Sequence, residues 1–558
     1  MADCDLASND DVFCLKRGAE NVVLTRSRLR GRLAAPFKIG TETDGLFRDI
    51  EFSDSTIEMS DRAAICLESV DGAEICNVRV ERIKMNDVNV PIFIRLGARD
   101  SFCKGCGTIR DITIADIEGY GDTRDEGYGS CIAGVPERCV QNVTLRDLRF
   151  TSRGGQPAEL AERRVPELPE LYPEFDMFGR LPAHGLYARH VRGLSLERVE
   201  FSAREPDGRP AIALEDVEGV HLVDTGEPRV RGPSPPAGDA EMPEGNTTAL
   251  LEAIRAAGPG DTVTVAPGDY AVPRDLLPIA IETEGITLRS EGGAEVTRIR
   301  AVGARENEWK AGIPRGNLPN RGDSLIVIRA DKVTVSGFSM RGAFHNIRVD
   351  SARACCIQDN RFEFAKRHQV YCHGGGGHRL AGNTSTATNN NAFKLDECHD
   401  CTISGNRFER DPAAIRLTSS CRTIVEGNRF MSVSWHGVMI EDGANRNTIR
   451  GNLFADGRLT GIQVRGCDNT EILENEFHGH KTESVMVDTG SGGVVLRRNS
   501  FHDNHGTAVS NETENPVDAT ENWWGSPDGP RPGTEVDKNV LVDPWLTEPP
   551  ATWVPGRA

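Results

Sequence analysis

Arg348, Tyr371, Lys394 and Arg416 stand 23, 23 and 22 residues apart, and two residues after each stand Asp350, His373, Asp396 and Thr418. Residues two apart on a strand share a face, so intervals of one coil each would make these two adjacent columns with rungs ~4.8 Å apart. A column of cations repels itself unless neighbouring acids or an anionic ligand compensate. The set also holds what β-elimination from a uronate requires: cations for the carboxylate, a Lys or Arg base, and a Tyr or His acid. The plainer alternative is a solvated face of mixed charge. Later rungs of the first column are Met439, Gln463, Met486 and Ser510, which confines such a site to the front coils. HGGGGHRL, from His373 to Leu380, is either a loop opening a groove beside His373 and His378 or a flexible turn. No helix start follows it, which argues against a phosphate cradle.

The element that positions these columns is a repeat. Asparagines recur at Asn360, Asn383, Asn406, Asn428, Asn452, Asn475, Asn499 and Asn522, at intervals of 22 to 24 residues. Two residues later stand Phe362, Phe408, Phe430, Phe454, Phe477, Phe501 and Trp524, with Ser385 as the exception. This is the pattern of a parallel β-helix whose coils stack one Asn and one aromatic. Leucine-rich repeats share the period but need several Leu at fixed offsets, which these units lack. Asn246 followed by TTALLEAIRAA reads as a capped amphipathic helix covering the open end of the solenoid. ENWWGSPDGP, from Glu521 to Pro530, reads as its closing coil, and residues 536–558 as a tail.

The whole chain has 558 residues, 58 of them Gly and 30 Pro, and a net charge of −19. No apolar run approaches the ~20 residues of a spanning helix. With 65 Lys+Arg against 84 Asp+Glu and no basic stripe, nothing is present to neutralise a phosphate backbone. Neither a membrane nor a nucleic acid is expected as a partner. The 15 cysteines are odd in number, so a complete disulfide framework is excluded. Of the two CxxC pairs, Cys103/Cys106 and Cys398/Cys401, the second falls in repeat register. Cys398 and Cys467 lie eight residues before a ladder Asn, and Cys355 and Cys401 lie five before, as small interior stacking residues would. No metal and no cofactor are expected.

The first 225 residues repeat more loosely. Alternating segments begin at Asn21, Asp49, Asn77, Asp111, Asn142 and Gly193. They read as a second parallel β-helix with wider coils, and the insertion at 151–185 as a wall along a groove. GEPRVRGPSPPAGDAEMPEG, residues 226–245, reads as a Pro/Gly linker to the second solenoid at 246–535. The predicted fold class is therefore all-β, with two right-handed parallel β-helices in tandem.

SNDDVFCLKRG, from Ser8 to Gly18, resembles the DDxxxxKxG motif of glycoside hydrolase family 28, the polygalacturonases and their relatives. FKIGTETDGLFRDIEFSDSTI, ESVDGAEICNVRVERI, VPIFIRLGARD and YPEFDMFGRLPAHGLYARHVRGLSLERVEF follow in the order seen in one bacterial branch. The resemblance covers residues 1–225. It implies an inverting hydrolase of uronate-containing polysaccharide, with Asp10 as general acid, Asp11 as a base and Lys16 among the substrate contacts. Inversion needs carboxyls ~6.5–9.5 Å apart, and adjacent residues serve one groove only at a bend or strand end. The plain alternative is a solvated turn after Ser8 and Asn9. The family's catalytic His falls near Ala35 and its Arg-Ile-Lys clamp near Ile65-Cys66-Leu67, so Lys38 or Arg62 would serve instead. The family's earlier Asp has no counterpart ahead of the pair, which implies a true start upstream or a remnant domain.

The expected function is thus hydrolysis of an acidic polysaccharide by the first solenoid. The alternatives are elimination at Arg348, Tyr371, His373, Lys394 and Arg416, or a non-catalytic glycan-binding scaffold. The first residues show no secretory signal, while a polymeric substrate implies export. The compartment stays open.

Overall fold

The computed structural model describes residues 1–31, 34–98, 106–123, 125–232, 243–302, 323–531, 535–537 and 539–550. The chain divides into two compact units, Met1–Ala240 and Glu241–Ala558. Both are right-handed parallel β-helices, and the class is all-β. Among the described residues no helix is long and apolar enough to cross a membrane.

In the first unit the strands are long because they turn corners without breaking. Leu46–Ser69 pairs in parallel with Ala19–Thr25, Arg28–Gly31 and Phe37–Ile39 on one side and with Glu74–Asn86 and Val88–Leu96 on the other. Asn21, Asp49, Asn77, Asp111, Asn142 and Gly193, the residues that open each alternating segment, all have positive φ between 52° and 75°. Asn and Asp tolerate this region because their short polar side chains bond locally. Here they also bond to one another across coils, as Asn142 Nδ2 donates to Asp111 Oδ1 at 2.9 Å. Gly193 continues the corner where a Cβ would come within 2.9 Å of Asn142 Oδ1. The interior is apolar, with Phe37 and Phe52 stacked at 4.8 Å among buried Ile, Val and Leu.

The insertion at 151–185 is an integral part of the first unit. It lies down on the sheet, where Phe175, Met177, Phe178 and Leu181 pack against Cys66, Phe93, Cys131 and Tyr187. Arg95 and Arg189 hold it there by donating to the carbonyls of Glu167, Leu168, Val165 and Pro166. Part of the stretch read as linker is also structured, since Arg229–Arg231 pairs with Ile212–Val223. Residues 233–242 lie outside the described residues, as does Cys103.

The second unit has three parallel sheets of 12, 10 and 10 strands. Its helix, Thr247–Ala256, is capped by Asn246, whose Oδ1 accepts from Ala249 N at 3.0 Å, and buries Leu250, Leu251 and Ile254. From Asn360 to Asn499, each ladder Asn donates its backbone N and its Nδ2 to the Oδ1 of the next, at 2.8 to 3.2 Å. The same Nδ2 bonds a carbonyl of the preceding coil, as Asn428 Nδ2 does to Ile403 O at 2.9 Å. Each buried amide is thereby satisfied, and leaving one of these groups unpaired would cost about 1–3 kcal/mol.

Phe408, Phe430, Phe454, Phe477, Phe501 and Trp524 stack with centroids 4.4 to 5.1 Å apart. At Ser385 the stack is interrupted, and Phe393 fills the space edge-on between Phe362 and Phe408. The cysteines at 355, 372, 398, 401 and 467 are interior, and all described cysteines are free thiols. The segment read as a tail partly joins the solenoid, because Val540–Leu541 pairs with Val517–Asp518.

Candidate functional site

Asp10 and Asp11 occupy the bend between Asp5–Ser8 and Phe13–Leu15, the one geometry that lets adjacent carboxylates serve a single face. Asp10 is exposed, and its Oδ1 accepts from Asp11 N at 2.7 Å. Asp11 is fixed more firmly: its Oδ1 accepts from Ala35 N at 3.2 Å, and its Oδ2 lies 3.5 Å from Lys38 Nζ. Where the resemblance expects a histidine, the Ala35 backbone therefore supplies a donor.

Lys38 is 4% exposed and lies 3.5 Å from a second carboxylate, that of Glu68. Burial opposes its charge, but Glu68, Tyr172 and Asp11 outweigh burial and hold Lys38 well above the usual lysine range. Burial pushes the Glu68 carboxyl up to about 7 against the pull of Lys38. Glu68 follows the buried Ile65-Cys66-Leu67, where a cationic clamp was expected, so this position carries an acid. The register explains its placement: Lys38 pairs with Cys66, and Glu68, two residues on, shares that face.

Arg62 is held by Glu174 of the insertion, and Tyr172 Oη lies 3.3 Å from Thr41 Oγ1. Asp176 adds its field at Arg62. Lys16 is exposed beyond this set and reaches it through its field on Cys14. Burial pushes the Cys14 thiol up to about 12 and raises that of Cys66, so neither is a nucleophile. The arrangement offers acid–base chemistry: an aspartate at a bend, a glutamate whose carboxyl is pushed up to about 7, and a lysine shared between them.

In the second unit the pairing register runs Arg348, Tyr371, Lys394, Arg416 on consecutive strands, and Asp350, His373, Asp396, Thr418 beside them. The acids neutralise the cations rung by rung. Arg348 Nε donates to Asp350 Oδ1 and Arg416 Nε to Glu441 Oε1, both at 2.6 Å. Tyr371 Oη donates to Asp396 Oδ2 at 3.2 Å, and Lys394 Nζ lies 3.6 Å from the same oxygen. His373 is 45% exposed, with Nδ1 3.8 Å from Asp396. Burial holds the Lys394 ammonium below the usual lysine range, against the pull of Asp396.

Two further histidines belong to this face. His345 and His368 pair in register, stack at 5.2 Å and lie 5.1 and 5.7 Å from the Tyr371 ring. Both are buried, and burial together with Arg367 and Lys394 keeps them neutral far below the usual histidine range. Among the described residues His345 Nδ1, His345 Nε2 and His368 Nε2 have no hydrogen-bond partner. His345 and His368 keep the same 23-residue offset as the neighbouring columns, and the reading of those columns passed over them.

No curated protein matches the chain. Several solved structures are similar. A Geobacillus virus E2 protein, ORF18, aligns at 14% identity and a TM-score of 0.40, over 50% of this chain and 59% of that one. The DFA-IIIase of Arthrobacter chlorophenolicus A6 aligns at 13% and 0.35, over 51% and 93%. The A-module of the Azotobacter vinelandii mannuronan C-5 epimerase AlgE4 aligns at 13% and 0.31, over 49% and 96%. A family model described as periplasmic copper-binding protein (NosD) matches residues 260–414 and 387–531. Among the described residues no three His, Cys, Asp or Glu side chains come together as a group that could hold a metal ion. In its sequence, then, the second unit is similar to that family's β-helix repeats.

Proposed function

We propose that the first unit is a glycoside hydrolase acting on a uronate-containing polysaccharide, with Asp11 as the base that activates water and Asp10 as the acid. The observation that carries this reading is the Lys38 ammonium set 3.5 Å from both Asp11 and Glu68. Lys38 sits beside Asp11 as its ion-pair partner, while Ala35 N orients it. Glu68 acts through Lys38 and is a positioning residue. In this reading Asp10, exposed at the bend, gives its proton to the leaving oxygen. Incubation of the full chain with pectin, rhamnogalacturonan and alginate is expected to release new reducing ends without unsaturated products. Unsaturated ends alone, or no new ends from folded protein, would overturn the reading.

A second reading rests on Lys394. An amine held below its usual range beside a tyrosine hydroxyl, with neutral imidazoles behind, suits removal of the proton next to a uronate carboxylate. This reading places elimination in the second unit, with Lys394 as base and Tyr371 as acid. Its expected sign is ultraviolet-absorbing unsaturated product that disappears in Lys394→Ala and persists in Asp11→Asn.

A further inference from the structure

We infer that the sugar ring seated against Lys38 and Arg62 carries no carboxylate, so that the first unit cleaves at a neutral glycosyl residue of its polymer. The inference rests on the hydrolase reading of this unit and narrows its substrate. Uronate recognition needs a cation whose charge is available to the incoming carboxylate. Here both buried cations are closed by the protein's own acids. Lys38 is held between Asp11 and Glu68, and Arg62 is held by Glu174 with Asp176 adding to the negative field.

The lining is reachable, because the side chains of Asp11, Arg62 and Glu174 keep 15% to 16% of their surface exposed. Its acids outnumber its cations even with Glu68 left out, since Asp11, Glu174 and Asp176 stand against Lys38 and Arg62. A carboxylate brought into that set meets repulsion that partial burial screens poorly. A neutral ring meets none of it and finds hydrogen-bond acceptors for its hydroxyls and the Tyr172 ring beside them. Lys16 is exposed and lies beyond this set, so it is free to meet a uronate elsewhere along the same polymer.

The test reads which sugar gains the new reducing end. The full chain is incubated with rhamnogalacturonan and with polygalacturonate, the ends are labelled by borodeuteride reduction, and the labelled alditols are identified. A labelled neutral sugar from rhamnogalacturonan, with polygalacturonate left intact, is the expected result. A labelled uronate overturns the inference and leaves the hydrolase reading standing, whereas no labelled end at all removes both. Glu174→Gln gives a second measure, because it releases the Arg62 charge. It is expected to bring cleavage of polygalacturonate to about tenfold above the blank level at which the parent chain stands, and no gain in folded protein counts against the inference.

Discussion

Asp11→Asn is expected to lower hydrolysis by about 10²–10⁴-fold while leaving the first unit folded, and Lys38→Met to remove about 3–5 kcal/mol of its stability. The two residues touch, so the contrast separates chemistry from support. Asparagine keeps an oxygen for the Ala35 N–H and leaves Lys38 paired with Glu68, so the buried charge stays balanced. Only the base is lost. Methionine fills much of the lysine's volume but strands the carboxyl groups of Asp11 and Glu68, which among the described residues Lys38 alone bridges. Burial alone then forces protonation or unfolding. Glu68→Gln added to Lys38→Met is expected to recover part of the loss, because it removes one stranded acid. Reducing-end release and the denaturation midpoint of the first unit check the pair. Equal destabilisation by Asp11→Asn and Lys38→Met would reduce the cluster to a structural salt bridge.

Much of this architecture was legible because solenoid coils repeat their chemistry. The Asn ladder, the aromatic stack and the columns from Arg348 to Arg416 follow from one period, and the pairing register reproduces them rung by rung. The segment starts of the first unit were also visible, but that they are corners with positive φ emerges only from the structure. What escaped has two physical origins. Glu68 sits in an apolar strand with no spacing signal, and only its pairing to Lys38 across coils gives it a role. Glu174 and Tyr172 come from an insertion with no period at all, whose fold is decided by Phe175, Met177 and Phe178 seeking the sheet. For the charge columns the sequence left open whether neighbouring acids or a ligand compensate them. Asp350 beside Arg348 was in view, whereas Glu441, which engages Arg416, lies one coil on from Thr418, and both 2.6 Å pairings depend on rotamers that a sequence does not fix.

Asp411→Asn is expected to stabilise the second unit, by an amount that grows with pH. Ser385 leaves room where every other described rung of the ladder has an aromatic, and its hydroxyl donates to Asp411 Oδ1 at 3.0 Å. Asp411 is fully buried, and among the described residues its Oδ2 has no hydrogen-bond partner. Burial pushes its carboxyl up to about 8, against the pull of Ser385 and Arg410. Between the unfolded value of 3.8 and about 8 the native state holds a proton that the unfolded chain has released. Stability from this group is therefore fully present below pH 3.8 and falls as pH rises to about 8, then stays level. A shift of this size corresponds to a few kcal/mol at neutral pH, on the order of 3–5. Asparagine carries no such proton, so its advantage should be absent at the acid end, widen through neutrality and plateau in mild alkali. His345 and His368 act in the opposite sense, since neutral buried imidazoles lose their contribution as pH falls below 6.5. Parallel denaturation of Asp411→Asn and the parent across this range isolates the aspartate, because the histidines are common to both. A constant difference between the two curves would mean that Asp411 is ionised in the folded protein and that its stabilising partner lies elsewhere.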